Sequence, residues 1–200
     1  MSEDRKLRTR FEAERVYLRS YQAGDGPWLY DVSLKNRIHL ARYESDNLLM
    51  SIESEEKAEE YARELFEDWL KGECFFIPVF KKENDEFVAQ IYVGPTNKDL
   101  AEYIVGFIAD VEHQRQGYVT EALQSALDFI FNDLQAHRIF LECDDTNQRS
   151  WEVAERCGFI KEGHLRENKR HPGSPISGTY IYGMLRQDFE RLGEGDLETG

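Results

Sequence analysis

One apolar segment that passes through a short polar loop into an amphipathic helix constrains the fold of this chain most strongly. Residues 103–109 are almost all apolar, which is typical of a strand buried on both faces. Beyond Gly117, apolar side chains recur at three- and four-residue spacing and form one stripe, at Val119, Ala122, Leu123, Ala126, Leu127, Ile130 and Phe131. The pattern predicts a strand, a loop and a helix in direct succession.

Further periodic segments flank this unit on both sides. The strongest lies at residues 54–71, where Ser54 suits the N-cap of a helix and Gly72 suits its end. Alternating or continuous apolar patterns predict the strands, and Gly94-Pro95-Thr96-Asn97 predicts a turn. The remaining predicted strands are 15–21, 74–80, 87–93, 138–143, 159–165 and 179–185, the remaining predicted helices are 27–34 and 147–157, and residues 168–178 are predicted to be irregular.

The order of these elements, β-α-α-β-β-β-α-β-α-β-β, predicts the fold class. We expect an α/β fold with a mixed, mostly antiparallel central sheet, helices on both faces and one β-α-β unit. Strands and helices do not alternate throughout, which excludes a doubly wound parallel nucleotide-binding fold. No repeat or Pro/Gly/Ser-rich linker divides the chain, so a single domain is expected over residues 11–192, with loose termini at 1–10 and 193–200.

Charge and composition narrow the class of partner. The hydrophobic fraction of 40% is enough for a core, and 39 acidic against 25 basic residues give a net charge of −14. Such a chain repels phosphates, so we expect neither a nucleic acid nor a membrane surface as partner. A cationic partner or substrate fits better, although the charge also serves solubility alone.

Cysteine, histidine and apolar residues give no sign of a metal site, disulfides or a membrane span. The three cysteines form no CxxC pair, and the five histidines are dispersed without metal-ligand spacing, so no metal is expected. No apolar run reaches the roughly 18 residues of a bilayer span, and residues 1–10 are charged, unlike a signal peptide. The expected compartment is the cytoplasm.

The strand–loop–helix unit also predicts a type of ligand. The first backbone N–H groups of a helix have no partner within it, and the helix dipole adds positive potential there. A phosphate or pyrophosphate group is bound well at such a place, and Gly117 would let the ligand approach the main chain closely. One glycine before a helix is also common in ordinary loops, so this signal is weak when it stands alone.

Two motifs strengthen the signal by resemblance to a known family. Gln114-Arg115-Gln116-Gly117-Tyr118-Val119 resembles the acetyl-CoA-binding signature Q/R-x-x-G-x-G/A of the GNAT acyltransferases. Thr120-Glu121-Ala122-Leu123 is similar to the start of the third helix in the ribosomal-protein N-terminal (alanine/serine) acetyltransferase branch. Asn147-Gln148-Arg149-Ser150 and residues 154–163 resemble a second block of that branch, and the element order matches over residues 15–192. Val119 departs from the usual Gly or Ala and would crowd the turn slightly, but the backbone N–H groups remain.

The resemblance implies acetyl transfer from acetyl-CoA to a primary amine by direct attack, without a metal. It places the diphosphate on the backbone of the signature and the pantetheine arm on the end of the preceding strand. Asn147 would bind the coenzyme A arm, although it could equally be a plain N-cap. The expected cofactor-binding residues are Phe107, Ile108, Ala109, Gln114, Arg115, Gln116, Gly117, Tyr118, Val119, Thr120 and Asn147.

Proton transfer requires a donor for the leaving thiolate and a base for the amine. Many family members use a tyrosine as donor, but that position is Ala154 here, so by resemblance to the N-terminal acetyltransferases Ser150 is the expected donor. The alternative is that its hydroxyl satisfies a free N–H at the helix start. Cys143 has no histidine nearby in sequence to activate it, so a covalent acyl-enzyme is not expected.

Two carboxylates are candidate bases. Glu142 lies on a strand that we expect to be covered on both faces, and a buried carboxylate there would be a stronger base. Its alternative is a salt bridge, for example to Arg138. Glu167 is the second candidate, because in this branch a nearby glutamate has the base role.

The expected function is therefore an N-acetyltransferase that acts on a protein N-terminal amine or a small amine. The aromatic helix at residues 54–71 is expected to lie mainly in the core. In the family, the segment between the first two main strands also covers the acceptor site, so Tyr43 and Trp69 are alternative lining residues. A non-catalytic acyl-CoA-binding or sensor module is the alternative, and the presence of both Ser150 and Glu142 argues against it. A homodimer is expected only because members of the family often form one.

Overall fold

A computed structural model describes residues 7–171 and 173–195, without the side chains of residues 194 and 195, and its centre is one eight-stranded sheet. The strands follow in the order β1-β2-β3-β4-β5-β6-β8-β7, and all neighbours are antiparallel except the parallel pair β5–β6. Their bounds are β1 Arg10–Glu12, β2 Val16–Arg19, β3 Phe75–Lys81, β4 Phe87–Asn97, β5 Glu102–Ala109, β6 Arg138–Asp144, β7 Ile160–Arg170 and β8 Ile176–Leu185.

The helices begin and end largely where local signals place them. Ser54 accepts a hydrogen bond from the backbone N–H of Lys57 at the start of α2, and Gly72 ends that helix in the left-handed conformation. A 3-10 turn at Leu48–Ser51 precedes α2, and a π-helical turn at Phe129–Asp133 extends α3. The helix bounds are α1 Gly26–Leu40, α2 Glu55–Lys71, α3 Tyr118–Asp128, α4 Gln148–Arg156 and α5 Arg186–Gly195.

Helices cover both faces of the sheet, as predicted. Side chains alternate across β2, so that Val16 and Leu18 enter one apolar cluster and Tyr17 enters the other. The first cluster also contains the buried faces of α3 and α4, and the second contains those of α1 and α2. The predicted mixed α/β architecture is confirmed.

Several element boundaries differ from the prediction because pairing overrides local sequence. The predicted turn at residues 94–97 is wrong: Gly94 and Pro95 continue β4 and pair with Ile104 and Tyr103. Residues 168–170 and 176–178, predicted to be irregular, belong to β7 and β8. The strand predicted at 159–165 forms the first half of β7, whereas residues 166–170 are all polar or charged and show no apolar alternation that could reveal the second half.

The predicted loose termini lie partly outside the described residues, namely at 1–6 and 196–200. Within them the prediction is wrong at two places, since Arg10 begins β1 and residues 193–195 complete α5. The single domain over residues 11–192 stays a prediction.

Candidate active site

The parallel strands β5 and β6 separate after three residue pairs, and this fork forms the centre of the site. β5 pairs with β4 from Glu102 to Ala109, but it pairs with β6 only at residues 102–104. From Val105 onward, the β5 edge that faces β6 has no strand partner among the described residues. Backbone N–H and C=O groups on this free edge can pair with the amide groups of an extended ligand. Phe107, Ile108 and Ala109 therefore lie where the pantetheine arm is expected.

The loop after β5 presents a run of free backbone donors. In the part of the chain that the structure describes, the N–H groups of residues 114–120 donate no hydrogen bond. Gly117 is the N-cap of α3 with φ +83°, and no side chain caps this helix. Arg115 also has a positive φ, of +61°, which bends the loop tightly. Free N–H groups at a helix start attract anions, so this loop fits a diphosphate.

A buried carboxylate fixes the start of that loop. Asp110 accepts hydrogen bonds from Asn36 Nδ2 at 2.9 Å and bonds the His113 ring at 2.8 Å, and it pairs with Lys35 Nζ at 2.9 Å. Burial of Asp110 opposes its ionisation, but the hydrogen bonds from Asn36, Lys35 and His113 outweigh this and lower its pKa. The charged form of Asp110 therefore anchors the loop to α1.

The first turn of α4 leaves two polar side chains without partners. Asn147 occupies the N-cap position, but its side chain makes no capping hydrogen bond. The Ser150 side chain also has no hydrogen-bond partner among the described residues, and Ser150 is half-buried. The plain capping roles left open by the sequence are therefore absent, and both groups are available to a ligand.

Side-chain contacts hold α4 against the diphosphate loop. Arg149 donates to the Gln114 side chain, whose amide nitrogen also contacts the His39 ring at 3.0 Å. Near the other end of α4, Cys157 Sγ lies 3.7 Å from the carbonyl oxygen of Thr120. Gln114 thus links α1, the loop and α4, and the elements that carry the predicted cofactor-binding residues meet at the fork.

The departure of Val119 from the usual Gly or Ala does not oppose binding of acetyl-CoA. Val119 and Tyr118 are half-buried and pack against the core cluster that contains α3, so the valine side chain is accommodated there. The free loop N–H groups and the free β5 edge therefore fit acetyl-CoA.

The expected burial of Glu142 is wrong. The residue is exposed, because the apolar cluster under α1 and α2 takes side chains from β2 to β5 and none from β6. The alternative salt bridge is also absent, since Arg138 pairs with Glu102 and Glu162. Neither the buried base nor the structural ion pair predicted for Glu142 is present.

The other two reactive candidates lie in contrasting environments. Glu167 is exposed on β7 with φ +53°, at a register irregularity between Leu165 and Lys169. Cys143 is buried on β6, and this burial raises the pKa of its thiol to about 12. Cys143 therefore stays protonated at neutral pH, which argues against its use as a nucleophile, and direct attack without an acyl-enzyme stays a prediction.

The segment between α1 and α2 lies beside the end of β6. The Tyr43 hydroxyl is 3.3 Å from Thr146 Oγ1, and its role in lining the acceptor site stays a prediction. Glu44 is solvent-accessible but surrounded by protein, and this desolvation raises its pKa against the opposing effect of Lys169. Trp69 lies in the core with its side chain 1% exposed, as expected for the aromatic helix, so it does not line the acceptor site.

The described ranges contain neither a cluster of metal-ligating side chains nor a membrane-spanning helix. Within residues 7–171 and 173–195, no three His, Cys, Asp or Glu side chains gather in an arrangement that could hold a metal ion. None of the helices in these ranges has the length and apolar character needed to cross a membrane.

Comparisons with known proteins place the chain in a family. A sequence profile described as "Acetyltransferase (GNAT) domain" matches residues 15–160. The ribosomal-protein-serine acetyltransferase of Escherichia coli is 30% identical over 142 residues, which are 70% of this chain and 75% of that protein.

Solved structures share the fold. The ribosomal-protein-S5-alanine acetyltransferase from Vibrio fischeri matches with a TM-score of 0.78 and 22% identity, over 90% of this chain and 98% of that one. A ribosomal L7/L12 alpha-N-protein acetyltransferase in complex with coenzyme A matches with a TM-score of 0.76 and 19% identity, over 86% and 95%. The resemblance found in the motifs is confirmed: the chain belongs to the GNAT acetyltransferase family and is an acetyl-CoA-dependent N-acetyltransferase.

Proposed function

We propose that this chain transfers the acetyl group of acetyl-CoA directly to a primary amine, either a protein N-terminal amine or a small amine. One observation carries the proposal: within the described ranges, N–H groups of residues 114–120 that donate to no protein group adjoin the sheet fork, next to the unpartnered side chains of Asn147 and Ser150. The free N–H groups and the sheet fork suffice for a binding site for an acyl-CoA, whereas catalysis needs a proton donor as well.

The backbone binds most of the cosubstrate in this proposal. N–H groups from Gln114 to Thr120 hold the diphosphate, and the free edge of β5 at residues 107–109 pairs with the pantetheine amides. Asn147 donates to the same arm through its free side-chain amide. These contacts leave the acetyl group near the first turn of α4.

Ser150 is the proposed proton donor to sulfur. As the amine attacks, the C–S bond breaks and the departing thiolate takes a proton from the Ser150 hydroxyl, which has no partner among the described residues. The acetylated nitrogen then gives its surplus proton back to the Ser150 oxygen. Glu167 stands as a candidate base by resemblance and Glu142 as the other candidate carboxylate, but both are exposed, so the burial that would have strengthened Glu142 as a base is missing.

Charge and relatives favour a cationic acceptor. The net charge of −14 attracts ammonium groups, and the E. coli relative is named as an acetyltransferase of a ribosomal protein. We propose peptides with a free N-terminal amine as the first acceptors to try. The homodimer stays a prediction.

A panel assay tests the proposal. Purified protein is mixed with acetyl-CoA and, separately, peptides that begin with serine or alanine, spermidine, and lysine methyl ester. We expect free thiol to appear together with one acetylated amine, identified by mass spectrometry. Tight binding of acetyl-CoA without transfer to any amine would contradict the proposal and favour the non-catalytic binding module.

A further inference from the structure

A buried aspartate at the end of β6 ties three segments together. Asp144 is 6% exposed and accepts hydrogen bonds from the Thr146 backbone N–H at 2.9 Å and from the Ser177 hydroxyl. Its Oδ2 atom also lies 2.8 Å from Nε2 of His171. The three segments are the β6–α4 connection, the residues after β7 and the start of β8.

His171 is held in one orientation by two contacts. Besides the bond to Asp144, its ring meets the Tyr43 ring edge-to-face, with centroids 5.6 Å apart and planes at 85°. The bond to Asp144 requires a proton on Nε2, which leaves Nδ1 as the acceptor in the neutral ring. Nδ1 has no hydrogen-bond partner among the described residues, and the side chain is 17% exposed.

The same aspartate begins the turn that carries the proposed catalytic groups. The backbone N–H of Asn147 donates to the Asp144 carbonyl at 2.9 Å, and that of Ser150 donates to the Asn147 carbonyl at 3.0 Å. His171 is therefore tied, through Asp144, to the turn that presents Asn147 and Ser150. Tyr43 places the α1–α2 segment, expected over the acceptor, against the same histidine.

Charged and titratable groups reach His171 from each neighbouring segment. Asp144 faces it from β6, and Tyr43 and Glu44 face it from the α1–α2 segment; Lys169 of β7 acts on the same Glu44. Burial disfavours ionised Asp144, but the hydrogen bonds from Ser177, Thr146 and His171 outweigh it and lower its pKa to about 2. The charged carboxylate behind His171 fixes the tautomer and the orientation of its ring.

We propose that His171, oriented by Asp144, is the base that accepts a proton from the acceptor's ammonium group. This inference rests on the proposed function. The acceptor nitrogen gives one proton to His171 Nδ1 and attacks the acetyl carbon, so that the N–C bond forms and the C–S bond breaks. The second proton of that nitrogen passes through the Ser150 hydroxyl to sulfur, and His171 returns its proton to water. Asp144 is a positioning residue.

The test compares two histidines that each contact an aspartate side chain but lie at different places in the fold. His164 Nε2 lies 2.9 Å from Asp145, so His164→Gln is the matched control for His171→Gln. The pH dependence of kcat/KM is measured for both variants and the wild type with the best acceptor of the amine panel. Unfolding temperature and acetyl-CoA affinity are measured in parallel.

In the wild type and the control, kcat/KM is expected to rise with pH as an imidazole loses its proton and then to reach a plateau. The plateau should extend up to the pKa of the acceptor amine. The kcat/KM of His171→Gln at pH 7 is expected to be roughly 10²–10⁴-fold lower than that of the wild type. Its rate should then rise about tenfold per pH unit toward the amine's pKa, because only neutral amine reacts. A His171→Gln profile parallel to that of the wild type would overturn the inference.

A second variant covers the case in which His171→Gln fails to fold. Asp144→Asn keeps the side-chain shape but removes the carboxylate charge that faces the ring. The acid limb of the kcat/KM profile should move to lower pH, which a merely structural role would not cause. An unmoved limb would overturn the inference. If the wild type acetylates no amine at all, the proposed function itself fails, so the two failures are distinguishable.

Discussion

The side-chain amide of Asn36 donates a hydrogen bond to Asp110 at 2.9 Å, and both side chains are fully buried. The carbonyl oxygen of the same amide accepts from the backbone N–H of Val111 at 2.8 Å. One residue of α1 thereby satisfies both a carboxylate and a main-chain donor at the point where β5 ends. The position of the diphosphate loop is thus set from the opposite layer of the fold.

Replacement of Asn36 by leucine should destabilise the protein and loosen this loop. The change leaves Asp110 and the Val111 N–H short of a buried partner, which costs roughly 1–3 kcal/mol. Denaturant unfolding measures the loss, and calorimetric titration should show weaker acetyl-CoA binding. Asn84→Leu, in the exposed β3–β4 turn, is the control, and equal effects of the two changes would contradict the anchoring role.

A negative charge at Gly117 should weaken acetyl-CoA binding. Gly117→Asp places a carboxylate beside the free N–H groups and should raise the dissociation constant at least about tenfold, or about 1.4 kcal/mol. Gly117→Asn separates the effect of charge from that of shape. Gly72→Asp imposes the same left-handed backbone strain away from the site and should leave affinity unchanged. Unchanged affinity in Gly117→Asp would remove the diphosphate assignment.

Removal of the Ser150 hydroxyl should slow turnover without weakening acetyl-CoA binding. If the hydroxyl protonates the leaving thiolate, Ser150→Ala should lower kcat by roughly 10²–10⁴-fold. Its stability should hardly change, whereas Ser54→Ala removes a real cap of α2 and should cost about 1 kcal/mol. Loss of acetyl-CoA affinity with kcat intact would show that Ser150 only binds.

Asp144 should make stability depend on acid pH. Its pKa is lowered from the usual 3.8 to about 2 in the folded state, so its contribution is complete above about pH 4 and is lost as the pH falls through about 2. The contribution is at most about 2 kcal/mol. Unfolding free energies of Asp144→Asn should therefore fall less between pH 4 and pH 2 than those of the wild type. Glu142→Gln, on the same strand but exposed, should keep the wild-type slope.

Local signals predict much of this fold and of its cosubstrate site. The ends of α2 follow from Ser54 and Gly72, because capping depends on residues within one turn of the helix. Gly117 and the free N–H groups after it follow in the same way from the strand–loop–helix pattern. These features need no knowledge of distant contacts.

Features that depend on contacts between residues far apart in the chain cannot be predicted from local sequence patterns. Whether β6 is covered near Glu142 depends on where α1 and α2 pack, and they leave it exposed. His171 and Asp144 are 27 positions apart and meet only because β8 returns alongside β6. Dispersed histidines in a sequence carry no sign of such a pair, so the acceptor side was the least predictable part of the site.

Hydrogen exchange of the backbone amides tests the central claim most directly. Exchange is followed residue by residue in the free protein and in the presence of saturating coenzyme A. The account predicts fast exchange at residues 114–120 in the free protein, where the N–H groups lack partners, and strong protection there and along residues 107–109 when coenzyme A binds. Saturation with coenzyme A that leaves the exchange of residues 114–120 unchanged would contradict it.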